Sequence, residues 1–196
     1  VFADGNGTEA APYIIETADQ LRRVVGGFGN GSHYKLANDI YLNDIDAIDW
    51  TTGTVLEQGY EPVEWFHNEG GQTRNYIGSN GETGTFTGTL DGDGYTVHGL
   101  WYPSTSSYSS VGLLPEANNT TVKNLRLSHS YVTGYPYIAA ISSTAIDANF
   151  DKVMVDDTVT VKHSGTWTES LATAGIVGNS QWGGTLKFTD CAVTAN

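Results

Sequence analysis

Beyond residue 83 the apolar residues gather into four hexads that superpose: Val97-His98-Gly99-Leu100-Trp101-Tyr102, Val122-Lys123-Asn124-Leu125-Arg126-Leu127, Phe150-Asp151-Lys152-Val153-Met154-Val155 and Phe188-Thr189-Asp190-Cys191-Ala192-Val193. Their first residues lie 25, 28 and 38 positions apart. Each hexad follows a small residue with apolar neighbours, at Gly88-Thr89-Leu90, Gly112-Leu113-Leu114, Ala140-Ile141 and Gly175-Ile176-Val177. Within a hexad the apolar positions are the first, fourth and sixth, which neither the helical period nor strict strand alternation produces. A corner produces it. If the chain bends at positions two and three, position one closes one strand, and positions four and six point inward from the next. Position three carries Gly99, Asn124 and Asp190, residues that tolerate left-handed backbone, while Lys152 breaks the pattern. Units of this length, none able to bury its apolar face alone, predict stacked coils. The expected fold is an all-β, right-handed parallel β-helix with Val97, Val122, Phe150 and Phe188 in one column.

The first 42 residues read differently. Thr17-Ala18-Asp19-Gln20 has the spacing of a capping box, and Leu21, Val24 and Val25 then form an apolar stripe that Gly26 and Gly27 end. Tyr13-Ile14-Ile15, Tyr34-Lys35-Leu36 and Ile40-Tyr41-Leu42 read as short strands around this helix, which is expected to cap one end of the stack. Residues 43–82, rich in aromatics and acids, break the pattern and are expected to pack beside it as an irregular insertion. The reading is a single domain over 1–196, with 1–42 as cap and first strands and 83–196 as repeated coils, cut from a longer surface protein.

Composition narrows the partners. Nine Lys and Arg against 22 Asp and Glu give a net charge of −13, which disfavours phosphate backbones, anionic lipid and acidic polysaccharides. Neither nucleic acid nor membrane insertion is expected: no apolar run approaches the ~20 residues of a span. Hydrophobic residues at 39% suffice for a core at this length, and 24 glycines with only 16% charged residues describe a turn-rich β protein. The single cysteine cannot close an intramolecular disulfide. Cys191 occupies an inward hexad position equivalent to Leu125 and Val153, so it reads as core.

Gly5-Asn6-Gly7-Thr8 through Pro12-Tyr13-Ile14-Ile15, then Thr17 to Leu21, Tyr34 to Ile40, Phe86-Thr87-Gly88-Thr89-Leu90-Asp91-Gly92-Asp93-Gly94-Tyr95-Thr96-Val97 and Gly112-Leu113-Leu114 together resemble the opening of GLUG-type β-helical domains. The resemblance covers most of the chain except 43–82. It implies an extracellular bacterial protein, secreted or at the cell surface and adhesin-like, beside adjoining domains of the same chain. Some chains with such domains are IgA-cleaving metallopeptidases. No His pair one helical turn apart with a Glu beside it occurs here, so that activity does not carry over.

Catalytic and metal chemistry find little support in the residues. Asp156-Asp157 follows a predicted strand, as the acids of β-helical polysaccharide hydrolases do, but the Gly-His-Gly and Arg-x-Lys partners of polygalacturonases are absent. These acids read as a solvated turn, and no catalytic residue is assigned. Calcium is a candidate ligand. Asp91-Gly92-Asp93-Gly94 imitates the start of an EF-hand loop, yet Tyr95 and Tyr102 stand where an oxygen ligand and a Glu are needed. Asp39, Asp44, Asp46 and Asp49 crowd one loop and read as a solvated acidic stretch. No cofactor and no metal ligand are assigned.

The aromatics outside the hexad interiors carry the functional expectation. Tyr108, then Tyr131, Tyr135 and Tyr137, then Trp167 occupy the same place in successive connections, and Trp101 lies beside them at an outward hexad position. Stacked coils would align these six as a rim of exposed rings, suited to the apolar faces of sugar rings. The expected function is a non-catalytic extracellular binding or adhesion module for a neutral polysaccharide or cell-surface glycan. A polysaccharide-degrading enzyme, a protein-binding adhesin and a structural spacer are the alternatives.

Overall fold

Thr17 starts the helix as its spacing from Gln20 predicts. Its hydroxyl accepts the Gln20 amide at 3.3 Å, and the Gln20 side-chain oxygen accepts the Thr17 amide at 3.1 Å. The helix, Ala18–Val25, ends on Gly26 and buries Leu21, Val24 and Val25. This computed structural model describes all residues except 27, 70–71, 75–84, 105–108, 165–171, 181–183 and 196, and among the described residues it contains no other helix. No helix there is long and apolar enough to cross a membrane.

The rest is mostly short strand, and most pairing is parallel. The first sheet runs through Tyr13–Ile15, His33–Leu36, Thr85–Asp91, Leu114–Lys123 and Ser142–Asp151, and the last of these pairs with both Val177–Ser180 and Leu186–Thr189. The second contains Ile40–Tyr41, Thr96–His98, Arg126–Ser128, Met154–Val155 and Ala192–Val193. The third is Trp101–Pro103, Ser130–Gly134 and Val159–His163. The fourth joins Ser109–Val111, Tyr137–Ala139 and Ala172–Ala174, and the antiparallel pair His67–Glu69 and Gln72–Arg74 extends it on one side. From Thr85 onward the chain visits these sheets in one order, first to fourth, and then returns to the first.

The hexad columns are largely as predicted, with one correction. Val122, Phe150 and Phe188 are register partners in the first sheet, but the residue beside Val122 on the preceding strand is Leu90, not Val97. Val97 instead pairs with Ile40 and Leu127 in the second sheet. The cause is a longer corner. Between the pairs Asp91↔Lys123 and Thr96↔Arg126 one strand holds Gly92 to Tyr95 and its neighbour only Asn124 and Leu125. Asp93 and Gly94 turn this extension with φ of 52° and 88°. The later corners turn on Asn124, Lys152 and Asp190, with φ of 51°, 53° and 50°, so Lys152 takes the left-handed conformation although its residue type does not favour it. Gly99, with φ of 81°, belongs to the next corner, where its amide donates to the carbonyl of His129.

Inward columns build the core. Leu90, Val122 and Phe150 from the first sheet and Ile40, Val97, Leu127 and Val155 from the second are buried. Each such side chain contributes roughly 1.5–3 kcal/mol, and a one-residue slip would turn a whole strand's set outward, which holds the register. Phe188 stacks on Phe150 at 5.3 Å and is 48% exposed. Cys191 is half-buried in the line of Leu125 and Val153.

Part of the 43–82 segment enters the structure more deeply than an irregular insertion would. Ile48–Asp49 and Thr54–Val55 form an antiparallel hairpin. Trp65 is buried, donates its indole N–H to the carbonyl of Leu113 at 2.9 Å and lies 5.6 Å under the Arg22 guanidinium. Arg22 also donates to the carbonyl of Leu42 at 3.0 Å, so one buried cation ties the helix to both neighbours. Asn43 is the second tie. Its amide group donates to the carbonyls of Val63 and Gly99, while its oxygen accepts the Val63 amide and the Tyr60 hydroxyl.

Candidate functional site

The predicted ring residues that the structure describes do not form a row of exposed rings. Tyr108 and Trp167 lie outside the described residues. Trp101 and Tyr131 are brought side by side as register partners in the third sheet, facing away from the main core. There the 48–55 hairpin covers them, in a second apolar cluster with Ile45, Ile48, Trp50 and Tyr60. Trp101 donates its indole N–H to the carbonyl of Gly53 at 2.9 Å. Gly53 has φ of 72°, and a Cβ there would stand 2.4 Å from carbons of the Tyr131 ring, so only glycine fits. Tyr131 is 8% exposed, and burial pushes its hydroxyl above the ordinary tyrosine range. Tyr135 is 6% exposed, edge-on to His163 at 5.5 Å. Tyr131 and Tyr135 are therefore corrected from exposed to buried. Trp101 and Tyr137 remain half-buried, and Tyr137 opens a strand of the fourth sheet rather than lying on the third. The partners that cover the rim, Trp50, Gly53 and Tyr60, lie 41 to 51 residues upstream of Trp101 in the segment that carries no repeat.

The outer face of the second sheet carries an exposed ring instead. Alternation turns Ile40, Val97 and Leu127 inward, so Tyr41, His98 and Ser128, which are register partners, turn outward in a row. Tyr41 is 54% exposed, and its ring lies flat on His98 at 4.6 Å and 10°. The His129 ring follows at 5.7 Å from His98, with Nδ1 at 2.8 Å from the Ser128 hydroxyl. That hydroxyl is 3.1 Å from Thr158 Oγ1. Thr158 in turn gives its amide and hydroxyl to Asp156 Oδ1 at 3.1 and 2.5 Å. Arg126 Nε stands 3.5 Å from Asp156 Oδ2.

The electrostatics of this row follow from burial. Nδ1 of His98 is buried and has no hydrogen-bond partner. Desolvation holds its imidazole below the ordinary 6.5, with His129 and Arg126 adding to the effect and Asp39 and Asp156 opposing it. For Asp156, burial works toward a higher value, but hydrogen bonds from Thr158 and Ser128 and the Arg126 charge outweigh it, and the carboxyl titrates below its usual range. Asp156 thus caps the 156–158 corner, the turn that the sequence predicts for this acid.

Several of the calcium candidates have internal partners. Asp91 and Asp93 are met by Lys123 and Lys35 at 3.3 and 3.0 Å, and Oδ1 of Asp91 accepts from Asn124. In the acidic loop, Asp39 accepts the Thr96 amide, Asp44 the Asp46 amide, and Asp49 the amide and hydroxyl of Thr51. Among the described residues no three His, Cys, Asp or Glu side chains are grouped so as to hold a metal ion.

Comparison with known proteins finds two similar stretches within much longer chains. Over 134 residues, 68% of this chain, it is 34% identical to a protein of Evansella cellulosilytica named as a Gly-rich membrane protein, of which the match covers 13%. Over 188 residues, 95% of this chain, it is 25% identical to the Halomucin of Haloquadratum walsbyi, of which the match covers 2%. No protein-family model matches the chain, and no solved structure matches it. This chain is therefore similar to a small part of each of two large proteins, whose names are those of a membrane protein and a Halomucin.

Proposed function

We propose that this chain is a non-catalytic binding module of the cell envelope or exterior, wound as a right-handed parallel β-helix of the GLUG-like kind and serving to hold a neutral glycan. The observation that carries the fold is the repeated visiting order of four mostly parallel sheets, together with the near-universal right hand of parallel crossovers. Similarity to short stretches of two very long proteins, a Gly-rich membrane protein and a Halomucin, supports a module among adjoining domains and an envelope or extracellular setting. The net charge of −13 favours an uncharged ligand over uronate or sulfated chains.

The test is retention on insoluble cellulose, starch, xylan and mucin glycans at low and high salt, with reducing-sugar release followed in parallel. Retention by a neutral polysaccharide that is insensitive to salt, without sugar release, supports the reading; released sugar overturns the non-catalytic part of it. One observation favours the spacer alternative: the rings at Tyr131 and Tyr135 are buried and Trp101 is tied to Gly53. A spacer is retained by none of the four.

A further inference from the structure

We propose that the row Tyr41, His98, His129 and Asp156 on the second sheet is the glycan-binding site, with the Tyr41 ring as the stacking platform. The proposal rests on the glycan reading above and moves the site from the predicted rim to the opposite side of the corner at Gly99 and His129. Three properties of the row carry it.

The first is preorganisation. Tyr41 is 54% exposed, so one face of its ring is open, and the other rests on the parallel His98 ring at 4.6 Å. A ring already fixed by stacking loses little side-chain freedom when a sugar covers it. Trp101 and Tyr131 have their outer faces filled by the 48–55 hairpin. The second is the chemistry beside the platform. His98, His129 and Asp156 bring imidazole and carboxylate groups along successive strands, held in place by the buried Ser128 hydroxyl and by Thr158, and such groups fix a polyol. Strands are about 4.8 Å apart, so the three steps from the Tyr41 strand to that of Asp156 span roughly 14 Å, enough for a short oligosaccharide.

The third is charge. On a molecule of net charge −13, the Asp156 carboxylate in this row is met by Arg126 at 3.5 Å. An uncharged ligand meets no net repulsion there, whereas an anionic one approaches the acidic molecule as a whole and a cationic one must displace Arg126.

The experiment uses the whole chain on the neutral polysaccharides named above, with Tyr41→Ala, Tyr41→Phe and, off the row, Tyr137→Ala. Loss of one stacking ring predicts roughly fivefold to tenfold weaker retention for Tyr41→Ala, with Tyr41→Phe and Tyr137→Ala close to the parent. Imidazole NMR signals of the unaltered chain, titrated with a soluble oligosaccharide of the retained polymer, add a readout that does not depend on any variant folding: His98 and His129 shift, and His33 does not. If the parent is retained but Tyr41→Ala binds equally well, or the imidazole signals stay still, the site is wrong and the glycan reading stands. If the parent is retained on no polysaccharide, the glycan reading fails and the site falls with it.

Discussion

Single residues at the corners hold this molecule in register, and Asn43 shows how. Its side chain is buried and serves two carbonyls, one amide and one hydroxyl from two separate stretches of chain, 60–63 and Gly99. Replacing it with Ala removes four hydrogen bonds and leaves the buried Gly99 carbonyl without this partner, which predicts a loss of roughly 2–4 kcal/mol in chemical denaturation, far above a surface substitution. His98 gives a prediction in pH. Burial holds its folded value below the 6.5 of the unfolded chain, so the unfolded state takes up the proton first. The associated stability is complete above about 6.5 and is lost as pH falls through that range toward the folded value. Asp91 and Asp156 are likewise depressed below 3.8, and their contribution is present above that value and lost as pH falls through their folded values. Denaturation midpoints against pH should therefore decline in two stages, one beginning near 6.5 and one below 3.8. His98→Gln should remove the first stage only; a single decline in the parent would contradict this assignment.

At the scale of elements, the corners decide what could be read in advance. The capping box at Thr17 and Gln20 and the column Val122, Phe150, Phe188 are local patterns, and both are where the sequence predicts them. The hexad pattern puts Val97 one column away from its place because the 92–95 corner is two residues longer than its neighbour, and two strands of equal apolar character fit either column. The rim at Trp101 and Tyr131 was legible as neighbouring rings but not as a covered surface, since the hairpin that covers it comes from a segment with no repeat to place it. The sequence shows Tyr41 in a short strand and His98 in a hexad, but not that these two strands, far apart in the chain, lie side by side. Corner chemistry also makes a prediction. Lys152 is exposed and left-handed, while its equivalents are Asn124 and Asp190. Lys152→Gly should raise stability by about 0.5–1 kcal/mol, because glycine occupies this conformation without steric cost. A thermal or denaturant midpoint that falls would mean that the Lys152 side chain contributes more than its backbone costs.

For the molecule as a whole, charge and connectivity dominate. With nine basic residues against 22 acidic ones the folded chain repels itself, and the Lys35–Asp93, Lys123–Asp91 and Arg126–Asp156 pairs offset that only locally. Added sodium chloride screens the repulsion within a Debye length of about 3 Å at 1 M against about 30 Å at 0.01 M, so the melting temperature should rise with salt. A fall would show that the ion pairs outweigh the net charge. The register of the first sheet has a mechanical consequence as well. Val122 and Phe150 are 28 residues apart in the chain but adjacent across the sheet, a separation of about 4.8 Å between strands. Drawn straight, that stretch reaches roughly 95 Å. In the proposed β-helix, a load along the coils would therefore lengthen the molecule in discrete jumps, each about twentyfold the strand spacing it replaces.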